Sequence, residues 1–153
     1  MLDSTPAKGY ETDLDAWFMA NAELLRQRRF TEIDIDNIVD ELESMAKRDR
    51  RELLSRLKVL LMHLLKWQFQ ANKRSKSWEN TIDEQRQQIY LVLADSPSLK
   101  HMLTEKLHDA YILAVKAAIK ETGLPKKVFP TNCPYTFEQT LHDEFYPLEN
   151  TND

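Results

Sequence analysis

A chain of 153 residues with two glycines, one cysteine and a net charge of −4 excludes several classes of protein at the outset. So few glycines disfavour a hairpin-rich β fold, and a single cysteine rules out an intrachain disulfide or a zinc site built from cysteines. The mildly acidic balance gives no whole-surface attraction for nucleic acid or anionic lipid. The length is that of one domain, and a middle filled with Leu, Glu, Lys, Arg, Gln and Ala predicts an all-α fold.

Residues 1–9 contain Pro6 and Gly9 with little to bury and are read as a flexible tail. Thr12 or Asp13 caps a first helix running to about Arg29, with Leu14, Trp17, Phe18, Leu24 and Leu25 on its core face. Arg26, Arg28 and Arg29 crowd its last turn. They either complement the negative end of the helix dipole or form an anion-binding edge.

Asp34 caps the next helix, and nothing from Ile35 to Gln70 forces a break, so the pattern predicts one helix of about 54 Å. Its second half, RELLSRLKVLLMHLLKWQFQ, carries Leu53, Leu54, Leu57, Leu60, Leu61, Leu64, Leu65 and Trp67 on one face at about 100° per residue. That face is wider than the stripe of a surface helix. Glu52, Arg56, His63, Lys66 and Gln70 line the opposite side, so the helix is expected to be mostly buried with one polar stripe. In the first half Ile35, Ile38, Val39, Leu42 and Ala46 make a narrower apolar face. Asp49 and Arg50 interrupt it, leaving one helix or two as alternatives.

Lys73, Arg74 and Lys76 lie in a basic connection, after which Ser77 caps a third helix to about Ala94. Trp78, Ile82, Ile89 and Leu93 mark the inner side of that helix, with Gln85 and Arg86 between them. Ser96 and Pro97 open a fourth helix, which ends at Gly123 and shows Leu99, Leu103, Leu107, Ala110, Ala114, Ala117 and Ala118 to the core. Three prolines make residues 124–135 a non-helical connection pinned by Phe129 and Tyr135. Thr136 caps a short last helix through Phe145, and residues 148–153 are a second tail. The expected architecture is a five-helix bundle around one long central helix, in a single domain over residues 10–147.

Catalytic chemistry finds no foothold in these residues. No Gly-rich phosphate loop or GxSxG is present. His63, His101, His108 and His142 form no i, i+4 pair, and the paired ExxH motifs of a ferritin-like carboxylate site are missing. No metal, cofactor or reaction class is therefore predicted, and Cys133 is expected to be simply packed. A core-facing guanidinium needs a partner. Arg86 is expected to pair with Glu41, Glu43 or Asp49 of the long helix, in a polar layer that Arg56 and His63 border. That layer either fixes helix register or binds a small ligand.

The ordered set ELES, RELLSRLKVLLMHLLKWQFQ, RSKSW, TIDEQR, SPSL, ETGL and FPTNCPY resembles the bacterial, cyanobacteria-rich family catalogued as domain of unknown function 29. The resemblance spans about Tyr10 to Pro147. It implies a mostly helical protein without an assigned activity, and it supplies no catalytic residues. Met45 and Ala46 stand where the family pattern has Leu-Gly, which leaves a helix break there unsupported. The functional expectation is a non-catalytic protein–protein interaction or adaptor module, acting as a homo-oligomer or on a protein partner. The alternative is local RNA or DNA binding through Arg26, Arg29, Lys73, Arg74 and Lys76. No run reaches the roughly 20 apolar residues of a membrane span, and the start MLDSTPAKGYETD lacks a signal-peptide pattern. A cytoplasmic protein with no membrane partner is expected.

Overall fold

The structure is a computed structural model and describes residues 8–149. Most of the two expected tails, 1–9 and 148–153, lies outside the described residues. Every regular element among them is helical: α1 (Leu14–Arg26), α2 (Ile35–Phe69), α3 (Lys76–Asp95), α4 (Leu99–Glu105), α5 (Leu107–Thr122) and α6 (Phe137–Leu141), with single 3₁₀ turns at Ala71–Lys73 and Lys126–Val128. The all-α expectation holds. The count is six because the expected fourth helix is interrupted at Lys106, which has φ −90° and ψ 2°. Neither proline nor glycine marks that interruption in the sequence.

The chain forms two compact units, Met1–Arg48 and Asp49–Asp153, and α2 contributes residues to both. It is one continuous helix of 35 residues. All residues from Leu42 to Glu52 are exposed, so the solvated face expected for the charged KRDRRE segment extends around the whole helix there.

In the first unit the Asp13 side chain caps α1 through the Ala16 N–H at 3.1 Å. The helix ends three residues before the expected Arg29. Arg28 sits in the left-handed region at φ 58°; its N–H bonds Leu25 O, while the Arg29 N–H bonds Leu24 O. This is the pattern of a Schellman closure, with an arginine where glycine is usual. The expected core face of α1 is only partly realised. Trp17 is buried at 2% exposure, whereas Leu14, Phe18 and Leu25 each remain about two-fifths exposed. Polar groups close this unit. Asp34 Oδ2 accepts from the Trp17 indole at 2.9 Å and from the Asn37 amide at 2.7 Å, and the Asp34 N–H donates to Asn21 Oδ1 at 2.9 Å. Asn21 in turn donates to Trp17 O. Asp34 keeps its expected position before α2, its carbonyl accepting from Ile38 N–H.

The second unit holds the leucine-rich half of α2. Leu53, Leu57, Leu60, Leu61, Leu64 and Leu65 have no exposed surface, and they pack with Ile82 and Ile89 of α3, Leu103 of α4, and Ala110, Ala114 and Ala118 of α5. Three alanines at that spacing let α5 approach closely. Ser75, two residues before the expected cap, accepts from Trp78 N–H at the start of α3. Ser96 closes α3 rather than opening the next helix. Gly123 ends α5 at φ 72°, as its freedom at positive φ requires. Phe129 and Tyr135 are both buried at 5% and pin the proline-rich connection. The Tyr135 hydroxyl donates toward Gln68 Oε1 at 2.6 Å and Leu64 O at 3.3 Å. α6 is shorter than expected. It is opened by a capping box in which Thr136 and Gln139 bond each other's backbone N–H.

Candidate functional site

The polar stripe of α2 and the inward arginine of α3 were the places where an active site would have to be, and both carry structural bonds. Arg86 is 2% exposed, as its position between Ile82 and Ile89 predicted, but its partners are not Glu41, Glu43 or Asp49. Its Nε, Nη1 and Nη2 donate to the backbone carbonyls of Thr140 (2.9 Å), Asp143 (3.3 Å) and Phe145 (2.7 Å). The guanidinium also lies 5.5 Å from the Tyr146 ring centroid. The reason lies at the end of α6: a helix of five residues leaves the Thr140 carbonyl without an intrahelical donor, the Asp143 and Phe145 carbonyls follow in the non-helical chain beyond it, and a fork of N–H groups carrying positive charge satisfies the three together. Burial lowers the pKa of the arginine, yet guanidinium remains protonated in proteins. A cavity of about 700 Å³ adjoins this clamp, lined by Arg86, Tyr90, Leu93, Leu141 and Asp143 among others. Each of the three guanidinium nitrogens already donates to a backbone carbonyl, leaving only the second N–H of Nη1 and of Nη2 for a ligand there.

The remaining members of the expected layer stand apart. Glu41 accepts from the Tyr10 hydroxyl at 2.9 Å in the first unit. Glu43 and Asp49 are exposed. Arg56 bonds Glu52, one turn away on α2, at 2.9 Å and Gln85 of α3 at 3.3 Å. His63 is half-buried and its Nδ1 lies 2.9 Å from Val59 O, which makes Nδ1 the protonated nitrogen. Burial lowers its pKa, and the Lys66 charge adds to that, against opposing contributions from the Val59 bond and Glu121.

Sequence reasoning placed Lys66 in the stripe but missed its partner. Lys66 is 8% exposed, pairs with Glu121 of α5 at 2.7 Å and lies 4.6 Å from the Trp78 ring centroid. Its hydrogen bond holds the Glu121 carboxyl below the ordinary carboxylate range. The Asn21–Asp34–Trp17 network was also missed, although Trp17 and Asn21 are four apart on α1 and so share a face.

The basic residues proposed for nucleic acid are largely engaged. Arg26 pairs with Glu23, and Arg29 with Glu32. Lys76 lies 3.4 Å from Glu79. Arg74 donates to Trp67 O at 2.8 Å and stacks on the Trp67 ring at 4.9 Å, with its Nη2 buried and unbonded. Lys73 is exposed at the end of the 3₁₀ turn. Among the described residues no three His, Cys, Asp or Glu side chains gather closely enough to share a metal ion. The single ExxH stretch, Glu105 to His108, is split by the interruption at Lys106, and Glu105 bonds His101 instead. Cys133 is half-buried, its thiol directed at Tyr135 O at 3.4 Å and pushed up in pKa by burial, the opposite of an activated nucleophile.

The pattern that defines the family described as Domain of unknown function DUF29 matches residues 10–146. The chain belongs to that family. The match runs through both compact units and begins at residue 10, where the resemblance read from the sequence also begins. A search of curated proteins returned no match, and a search of solved structures returned none. No helix among the described residues is long and apolar enough to cross a membrane.

Proposed function

We propose that this DUF29 protein is a non-catalytic interaction module, one domain over residues 10–147, that pairs with a second copy of itself through the first half of α2. The observation carrying this reading is a row of uncovered apolar side chains: Ile35 is 56% exposed, Val39 44%, Leu42 62% and Met45 50%. Steps of four, three and three place them on one stripe of the helix. Charge supplies the choice of occupant. Asp36, Asp40 and Glu43 precede Lys47 and Arg48 along the same helix, so a parallel pair sets like charges together and an antiparallel pair sets opposite charges together. With Leu42 opposite Met45 of the second copy, Asp40 falls opposite Lys47. An isologous pair needs only this self-complementarity. The reading takes the cytoplasm as its compartment, where a lone thiol such as Cys133 stays reduced. Nucleic acid is less favoured because Arg26, Arg29 and Lys76 have carboxylates beside them.

The test is the mass in solution by light scattering after size exclusion, over a range of micromolar concentrations. The expected result is twice the chain mass for the wild type and a single chain mass for Val39→Glu with Leu42→Glu, with helical circular dichroism retained. Asp40→Lys should weaken the pair and Asp40→Lys with Lys47→Asp should restore it. A monomeric wild type overturns self-pairing. Capture of a different protein at equal stoichiometry, lost in the double glutamate variant, would replace it with an adaptor role. Nucleic acid recovered with a steep salt dependence would replace both.

A further inference from the structure

The second unit has a cleft unconnected with the Arg86 clamp or the α2 stripe, and its lining is chemically one-sided. It runs between α5 and residues 126–132, with a volume of about 1030 Å³, at the upper end of the range for small-molecule sites. Its walls are apolar. Ile112, Val115 and Ile119 recur at steps of three and four on α5, facing the buried Phe129. One hydrogen bond and one aromatic contact hold those walls in place without a ligand. The Tyr111 hydroxyl donates to Pro130 O at 2.5 Å, and the Phe129 ring packs edge-on against Phe69 with centroids 5.5 Å apart. Burial raises the Tyr111 phenol to about 12, so it does not add a negative charge to the wall.

The cleft carries only positive charge. Lys116, Lys126 and Lys127 line it, and no Asp or Glu does, on a chain whose net charge is −4. Among the described residues none of the three lies within salt-bridge distance of a carboxylate. In the cavity beside Arg86, by contrast, Asp143 and Glu144 share the lining with the arginine. Lys116 stands within one turn of Val115 and Ile119, so a cation and an apolar wall are presented to the same occupant.

We infer that this cleft binds a small anionic amphiphile, an apolar chain or ring system lying along α5 and Phe129 with a carboxylate or phosphate head at the lysines. The lysines act as point charges and do not impose the planar fork geometry of arginine, so either head group fits. A neutral amphiphile fits the wall but leaves the three ammonium groups unmatched.

Fluorescence titration of the full chain with dansyl-undecanoate tests this, with decanoate, decyl phosphate, decanol and an acidic helical peptide as competitors. Saturable binding of one probe per chain is expected, displaced by decanoate or decyl phosphate at concentrations about tenfold or more below those needed with decanol, the scale of a charge-assisted hydrogen bond. The tighter of the two acids identifies the head group. Lys116→Ala with Lys126→Ala and Lys127→Ala should weaken binding about tenfold or more at an unchanged thermal midpoint, since among the described residues none of the three pairs with a carboxylate. Ile119→Glu should abolish it. The Val39→Glu, Leu42→Glu variant should bind as the wild type does; loss of the probe there puts the probe on the first unit and overturns the inference. It is equally overturned if decanol competes as well as decanoate, if the triple alanine variant binds normally, or if only the acidic peptide displaces the probe, which would make the cleft a protein-docking site.

Discussion

Among the described residues, the first unit buries one large apolar side chain, Trp17, and leaves Leu14, Phe18, Met19, Leu25, Phe30, Ile35, Val39, Leu42 and Met45 exposed. The second buries a continuous set of leucines, isoleucines, alanines and aromatics drawn from five helices and the proline-rich connection. Both contain amphipathic helix, and both contain part of the same helix α2. What separates them is how many elements are available to cover an apolar face. Two helical segments can satisfy one tryptophan and a small polar network around Asp34, but not two apolar stripes, and a folded piece of about 40 residues rarely stabilises itself without help from outside. Exposed apolar residues are normal singly and informative when contiguous. The lesson is that the stability of this chain resides in its second unit, and the uncovered surface of the first is where association is to be sought.

The sharpest way to break that comparison is to remove one leucine from each half of α2. Leu61→Ala opens a cavity at a site with no exposed surface and should cost about 2–5 kcal/mol in urea denaturation. Leu42→Ala, measured at dilutions where the chain is monomeric, should stay within about 0.5 kcal/mol of the wild type. Similar losses for the two would mean that Leu42 is covered within its own chain, and the interaction reading would lose its main support.

The next effect compares the polar anchors. Arg86→Met withdraws the donors from three carbonyls, two of them partly exposed to water, and should cost about 2–4 kcal/mol. It should also speed amide exchange in residues 137–146 before the rest of the unit. Asp34→Ala strands the Trp17 indole and the Asn37 amide and should cost about 1–2 kcal/mol, with faster exchange confined to α1 and the start of α2. If Arg86→Met leaves residues 137–146 as protected as in the wild type, the clamp does not hold that segment.

These cases also show what could be read from residues alone. The leucine spacing of α2 specified a broad buried face, and periodicity alone placed Arg86 inside it. Its partners were not legible. Backbone carbonyls carry no sequence signature, and those of Thr140, Asp143 and Phe145 meet at one guanidinium because α6 stops after five residues and the chain continues non-helically, a length that Thr136 and Gln139 do not encode. The interruption at Lys106 was invisible for a similar reason, since no proline or glycine accompanies it. Leu14, Phe18 and Leu25 were assigned to a core because they follow helical spacing. Spacing identifies an apolar face but not whether the same chain covers it, and that one ambiguity accounts for the difference between the expected and observed first unit. The lysine-lined cleft draws on residues 108–132 around a turn, and no local pattern announces it.

The smallest effect expected is a response to pH that only one unit shows. His63, His101, His108 and His142 all lie beyond Arg48, so the first unit has no histidine to titrate near neutrality. Its shifted groups are the raised Tyr10 and Arg29 and the lowered Glu23 and Glu32, all of which titrate well away from pH 6. In the second unit His63 is held neutral, first by burial and then by the Lys66 ammonium, while the Val59 carbonyl and Glu121 oppose this incompletely. With its folded pKa below the model-compound value of about 6.5, the unfolded chain binds more protons than the folded one as pH falls below that value. The folded state therefore loses stability on acidification from pH 7.5 to 5.5 and gains nothing from His63 above pH 7. Glu121, also lowered, enters the balance only at more acidic pH. A thermal midpoint that falls over this interval in the wild type and falls less in His63→Gln is the expected result. Equal falls in the two proteins would show that the charge of His63 is accommodated in the fold, and that the polar stripe of α2 is more open to water than its packing against Lys66 and Glu121 requires.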